Sequence, residues 1–168
     1  MANQNLKQLI SSEYTKCAKD PVYFMKKYCM IQHPTRGKIN FNLYKFQERA
    51  LDEFANNEYN IILKSRQLGI STLSAGYSLW SMLFNEDFNC LVIATKQDVA
   101  KNLVTKVRVM HEYLPSWLKG NTIEDNKLSL RFANGSQVKA VSAAGDAGRS
   151  EAISLLIMDE AAFIDKIG

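Results

Sequence analysis

Ser65-Arg66-Gln67-Leu68-Gly69-Ile70-Ser71-Thr72 is a polar loop running into a helix, and its neighbours decide what kind of fold holds it. Before it, Tyr59 to Leu63 is a short β-favouring run. After it, Ser71 to Phe84 carries a helical pattern. The unit reads as strand, loop, helix. A second unit follows, with Cys90-Leu91-Val92-Ile93-Ala94 as a buried strand and Asp98 as the N-cap of a helix reaching about Tyr113. Alternation of this kind predicts an α/β fold on a parallel sheet.

Further along, Leu128 to Phe132 and Gln137 to Val141 alternate apolar and polar around Asn134-Gly135, which predicts an antiparallel hairpin. After the glycine-bearing stretch Ala143 to Ser150, the apolar run Ile153 to Met158 ends in Asp159-Glu160. Upstream, Asp20-Pro21 is a helix start, and a helix from about Tyr44 to Asn56 places Phe46, Ala50, Leu51 and Phe54 on one face. Residues 1–42 read as an N-terminal helical segment and residues 43–168 as the α/β core.

The chain has 168 residues, 46% hydrophobic and 23% charged, which excludes a disordered chain and fits one compact domain. The net charge of +4 is compatible with a nucleic-acid partner without requiring one. No apolar run approaches the roughly 20 residues needed to cross a bilayer, so the expected location is cytoplasmic with no membrane partner. Cys17, Cys29 and Cys90 show neither disulfide nor zinc spacing and read as reduced thiols. His33 and His111 are too isolated for a metal cluster and read as structural.

Binding a nucleoside triphosphate takes a loop of backbone N–H groups, a hydroxyl for the magnesium ion (Mg2+) and a cation. Against G-x-x-x-x-G-K-[ST], Gly69 and Ser71 match, Lys64 stands where the first glycine belongs, and Ile70 replaces the lysine. Arg66 could supply the missing charge from within the loop, with Lys64 in reserve. An ordinary strand-to-helix turn with a surface arginine is the competing reading. Asp159 and Glu160 weigh against it, because an apolar strand delivers two carboxylates to its C-terminal end, where ligands of open α/β sheets gather. Asp159 could hold Mg2+ through water, and Glu160 could orient and deprotonate the attacking water.

The paired segments Ser65 to Thr72 and Leu155-Leu156-Ile157-Met158-Asp159-Glu160-Ala161-Ala162-Phe163 resemble the ATPase domain of tailed-phage large terminases, the motors of viral DNA packaging. The resemblance runs from about Leu43 to Phe163. It implies an additional-strand P-loop ATPase of RecA-like type, with a mainly parallel sheet flanked by helices and a β-hairpin. It assigns Ser65, Arg66, Gln67, Leu68, Gly69, Ile70, Ser71 and Thr72 to the nucleotide, Ser71 and Asp159 to Mg2+, and Glu160 together with Arg66 to catalysis. Tyr44-Lys45-Phe46-Gln47 looks like the adenine-recognising segment, with Gln47 as base reader. Arg149 is expected as an arginine finger reaching a neighbouring subunit's γ-phosphate. ATP and Mg2+ are the implied cofactors. Double-stranded DNA, the portal protein, the small terminase subunit and further copies in a ring are the implied partners, at the procapsid in the host cytoplasm. Ala94 to Ala100 matches loosely a segment near DNA or nucleotide, and Lys96, Lys101, Lys106 and Arg108 would give its helix a basic side.

Two departures stand out. Ile70 removes the usual phosphate lysine, and the family's coupling motif on a further strand has no counterpart after Glu160, so the ATPase domain is expected to be incomplete. A helicase-like DNA-remodelling ATPase and a catalytically impaired DNA-binding or assembly module are the alternatives.

Overall fold

The computed structural model describes residues 2–33, 35–142 and 152–163. Helix α1 (Ala2–Lys19) leads to α2 (Pro21–Tyr28), whose cap is Asp20: its carboxylate accepts from the Tyr23 N–H at 2.9 Å, with Pro21 in the first turn. One carboxylate ties the two helices together. Glu13 Oε1 accepts from the Tyr23 hydroxyl at 2.6 Å, the Tyr28 hydroxyl at 2.7 Å and the Lys27 ammonium at 2.5 Å. These bonds hold its pKa down at about 2. Strands β1 (Met30–His33) and β2 (Gly37–Asn40) then pair as a hairpin where the sequence signalled only a helix break.

Helix α3 (Lys45–Asn56) precedes the 59–63 segment, and here the expected strand fails to form. Tyr59 to Leu63 has no regular structure and joins no sheet among the described residues, and Ile61 and Leu63 are fully exposed. It borders a groove shared with Ala50 and Phe54 of α3. β-Propensity is a preference for a pleated, half-buried surface, and no neighbouring strand provides one.

Helix α4 (Ile70–Phe84), β3 (Asn89–Ala94) and α5 (Gln97–Glu112) follow much as the pattern predicts, except that Lys96, not Asp98, caps α5. Strand β4 (Thr122–Asp125) was not signalled. Strands β5 (Ser129–Phe132) and β6 (Gln137–Ser142) form the expected hairpin, and β7 (Leu155–Asp159) the expected acidic strand, followed by a 3-10 turn at Ala161–Phe163.

The sheet order is β4-β5-β6-β3-β7, with β3 parallel to both β6 and β7, and β5 antiparallel to both β4 and β6. It is therefore a mainly parallel, mixed sheet, in which β4, β6, β3 and β7 run one way and only the hairpin strand β5 runs the other. Cys90, Val92 and Ala94 on β3 align with Leu155, Ile157 and Asp159 on β7, so these six share a face. Helix α4 packs on that face, where Ser78 Oγ lies 3.3 Å from Cys90 Sγ. Helix α5 covers it too, through His111 against Phe132 of β5. On the opposite face Leu156 and Met158 stay 46% and 43% exposed, so helices flank one side only among the described residues.

The core is continuous from the N-terminal helices to the sheet, running through Cys17, Phe24, Met25, Leu51, Leu73, Leu79, Val92, Val104 and Leu130. All three cysteines are free and buried, and burial pushes each thiol pKa up. His111 is buried as well. Its Nε2–H donates to the Gly120 carbonyl at 2.9 Å, and its ring stands 4.7 Å from that of Phe132.

Burial lowers the pKa of His111 below its ordinary 6.5. The unfolded chain then takes up the proton more readily than the fold does, so the contribution of His111 is complete above pH 6.5 and lost as pH falls below it. The urea midpoint is expected to drop between pH 7.5 and pH 5.5, and His111→Phe to flatten that slope. Glu13 acts in the same direction only below its ordinary 4.5, outside this window.

Candidate functional site

The loop before α4 turns through two left-handed residues, Gln67 at φ 63° and Gly69 at φ 72°. Gly69 is the N-cap of α4 and has no side chain to satisfy the first helical amides, which also lack intrahelical acceptors. That arrangement suits an anion. Ser65, Arg66, Gln67 and Leu68 are exposed, Ser71 and Thr72 half-buried, and Ile70 buried in the core. The apolar residue at the lysine position thus serves packing and turns away from the loop's mouth.

Gln47 holds this loop from behind. Only 2% exposed, it accepts from the Tyr44 N–H through Oε1 at 3.0 Å and donates from Nε2 to the Leu68 carbonyl at 3.0 Å. The adenine-reader candidate is therefore also a strut between α3 and the loop. Motif reading missed this second role, because it depends on a contact across 21 positions.

Strand β7 delivers Asp159 to the α4 side of the sheet, where its Oδ2 accepts from Ser71 Oγ at 2.7 Å across 88 positions of sequence. The two segments singled out in the sequence meet at one point. Asp159 Oδ1 also accepts from the Glu160 N–H at 3.1 Å. Glu160 is exposed at φ 57°, a posture that bends the chain out of the strand at its carboxylate.

A hydroxyl and a carboxylate side by side are hard oxygen donors of the kind Mg2+ takes together with waters and phosphate oxygens, so Ser71 and Asp159 fit that ion. No group of three or more His, Cys, Asp or Glu that could hold a metal occurs among the described residues.

Arg66 makes no ion pair among the described residues. Arg149 and the stretch 143–150 lie outside those residues. The expected basic side of α5 does not hold as a stripe. Lys101 pairs with Asp98 at 3.1 Å and Arg108 with Asp125 at 2.5 Å, which leaves Lys96 exposed and Lys106 half-buried.

Parallel strands that carry an acidic end to a loop and helix start, under two helices, define a mixed α/β fold. Among solved structures, the crystal structure of the HK97 bacteriophage large terminase is similar to this chain at a TM-score of 0.65 and 19% identity. The match covers 84% of this chain and 30% of that one, so the chain spans less than a third of that terminase's length. The likeness is one of fold. No protein-family model matches the chain.

Proposed function

We propose that this chain is part of the ATPase motor of a viral large terminase and that it binds and hydrolyses ATP to drive double-stranded DNA into a procapsid. The observation that carries the proposal is the Ser71–Asp159 hydrogen bond of 2.7 Å, which joins a loop-to-helix anion site to an acidic strand end. Similarity to the HK97 large terminase in fold supports the same reading. The loop from Ser65 to Thr72 forms a P-loop around the polyphosphate, and Ser71 and Asp159 hold Mg2+, which neutralises phosphate charge when bound. Glu160 takes the proton of the attacking water. Arg66, and Arg149 from an adjoining subunit, meet the charge that develops on the γ-phosphate. Portal protein, small terminase subunit and further copies in a ring complete the assembly in the host cytoplasm. No helix among the described residues is long and apolar enough to cross a membrane.

Calorimetric titration of the chain with ATP and Mg2+ tests this reading. Binding that Asp159→Asn weakens only when Mg2+ is present supports it, and a chain that binds no nucleotide overturns it. Gln47 retains one amide hydrogen and one carbonyl lone pair beyond its two bonds, which matches the donor and acceptor of adenine. Gln47→Ala is accordingly expected to weaken ATP more than GTP, by about three- to tenfold for one lost hydrogen-bonding group. Equal losses in the two titrations leave Gln47 only its role as a strut.

A further inference from the structure

The first charged residue past β3 is Lys96, and the sheet fixes where it stands. Ala94 ends β3 and is the ladder partner of Asp159 at the end of β7. Only Thr95 and Lys96 separate Ala94 from α5, which begins at Gln97 and packs beside α4. Two residues advance the chain by at most about 7 Å and adjacent strands stand about 5 Å apart, so the four-carbon stem of Lys96 reaches the sheet edge that holds the Ser71–Asp159 pair. The backbone of Lys96 is anchored there: its carbonyl accepts from the Val99 N–H at 3.0 Å and from the Ala100 N–H at 3.3 Å.

The side chain is left without a partner. Lys96 is exposed, and its ammonium has neither a salt bridge nor a hydrogen bond among the described residues. The nearest carboxylates in the chain are engaged, Asp159 with Ser71 and the Glu160 N–H, and Asp98 with Lys101. Lys96 is also poorly suited to its place. As the N-cap of α5 it gives the helix no side-chain bond. Helix starts favour Ser, Thr, Asp or Asn, whose oxygens accept from the first amides, and the positive end of the helix dipole repels a cation. The start of α4 at Gly69, also without a side-chain cap, faces the same edge. A lysine beside two helix N-termini lowers stability, and positions where a local rule fails are where function is expected. A bound anion offsets the cost.

We propose that Lys96 binds the terminal phosphate of the nucleotide, supplying from the end of β3 the charge that the buried Ile70 does not supply from the loop. This rests on the nucleotide-binding reading above and adds a residue to it. Ser71 and Asp159 are the metal-side groups of that reading, so a cation one strand away from Asp159 discriminates ATP from ADP.

The test titrates ADP, ATP and inorganic tripolyphosphate, each with Mg2+, into the parent chain and into Lys96→Ser and Lys96→Arg, with thermal melting of each chain without ligand. Lys96→Ser gives α5 a favourable cap. It is expected to raise the melting temperature by about 2–4 °C and to weaken ATP and tripolyphosphate by about ten- to a hundredfold, the range for one charged hydrogen bond. ADP loses less, and Lys96→Arg keeps most of the ATP affinity. Stability and affinity moving in opposite directions separate contact with the ligand from support of the fold. Equal losses for ADP and ATP, or none for tripolyphosphate, overturn the proposal. A short DNA duplex is titrated into the same chains, and loss of DNA affinity with ATP affinity kept also overturns it, placing Lys96 on DNA instead. If Lys96→Ser melts early, Lys96→Met is read by the same criteria. A parent chain that binds ATP no better than Lys96→Ser does sinks this inference alone. A parent chain that binds neither ATP nor tripolyphosphate sinks the nucleotide reading with it.

Discussion

Glu160→Gln is expected to lower ATP turnover by about 10²- to 10⁴-fold, the range for removing a general base, while leaving ATP affinity close to that of the parent chain. The substitution keeps the shape of the side chain and removes only its capacity to take a proton. Nothing else about the site changes with it. The contact from residue 160 to Asp159 is made by the backbone N–H, and that N–H survives the exchange. The left-handed backbone at φ 57° is about as costly for glutamine as for glutamate, so the fold sees little difference. Phosphate release under saturating ATP measures turnover, and calorimetry measures affinity. Turnover equal to the parent's removes Glu160 from the chemistry. A parallel loss of affinity places its effect on binding instead.

The left-handed posture of Glu160 also bears on why the site was legible at all. A non-glycine residue in that region costs of order 1 kcal/mol and persists where the surroundings fix it. Here β7 ends on Asp159, whose carboxylate is held by Ser71, and the chain bends directly afterwards. The carboxylates were readable because an apolar run reads as a strand that must end at an edge of the sheet, and the loop because a glycine stands directly before a helical pattern with a hydroxyl in its first turn. Their meeting is made by α4, which packs on the β3–β7 face and brings Ser71 in its first turn to the end of β7.

What the sequence did not carry were features made by neighbours. Tyr59 to Leu63 has the composition of a strand, yet a strand exists through its partners. Neither this segment nor the outer edge of β7 has one among the described residues. Strand β4 reads Thr-Ile-Glu-Asp, with every residue exposed, and it forms because β5 offers an edge to pair with. Helix α1 gave no clear apolar stripe, since Leu6 and Leu9 face solvent. Its hold on the body comes from Glu13, from Cys17 in the core, from Tyr14 against Phe84, and from Trp80, whose Nε1–H donates to the Cys17 carbonyl at 2.8 Å. Lys106 looked like one charge of an exposed stripe. The structure breaks that stripe, because Lys101 and Arg108 pair with local carboxylates and Lys106 is half-buried.

The second large effect concerns the loop's own scaffold. A Cβ on residue 69 would stand 2.8 Å from Gln47 Nε2, and the backbone there is at φ 72°. Gln47 cannot easily give way, because it is buried and anchored at both ends by Tyr44 and Leu68. Gly69→Ala therefore carries about 1–2 kcal/mol for the left-handed backbone and about 1–3 kcal/mol for the forced contact. Urea unfolding is expected to show a destabilisation of about 2–5 kcal/mol on those grounds, together with at least about a tenfold loss of ATP affinity as the loop shifts. Gln47→Ala alone leaves the Leu68 carbonyl and the Tyr44 N–H without their partner, at a cost of about 1–3 kcal/mol. In the double variant the collision is gone and only the backbone part of the Gly69→Ala cost remains. The two substitutions are thus expected to be less than additive by about 1–3 kcal/mol. Additivity within about 0.5 kcal/mol means that Gln47 does not set the loop's position. The cycle thereby measures the strut itself, apart from anything Gln47 does to a base.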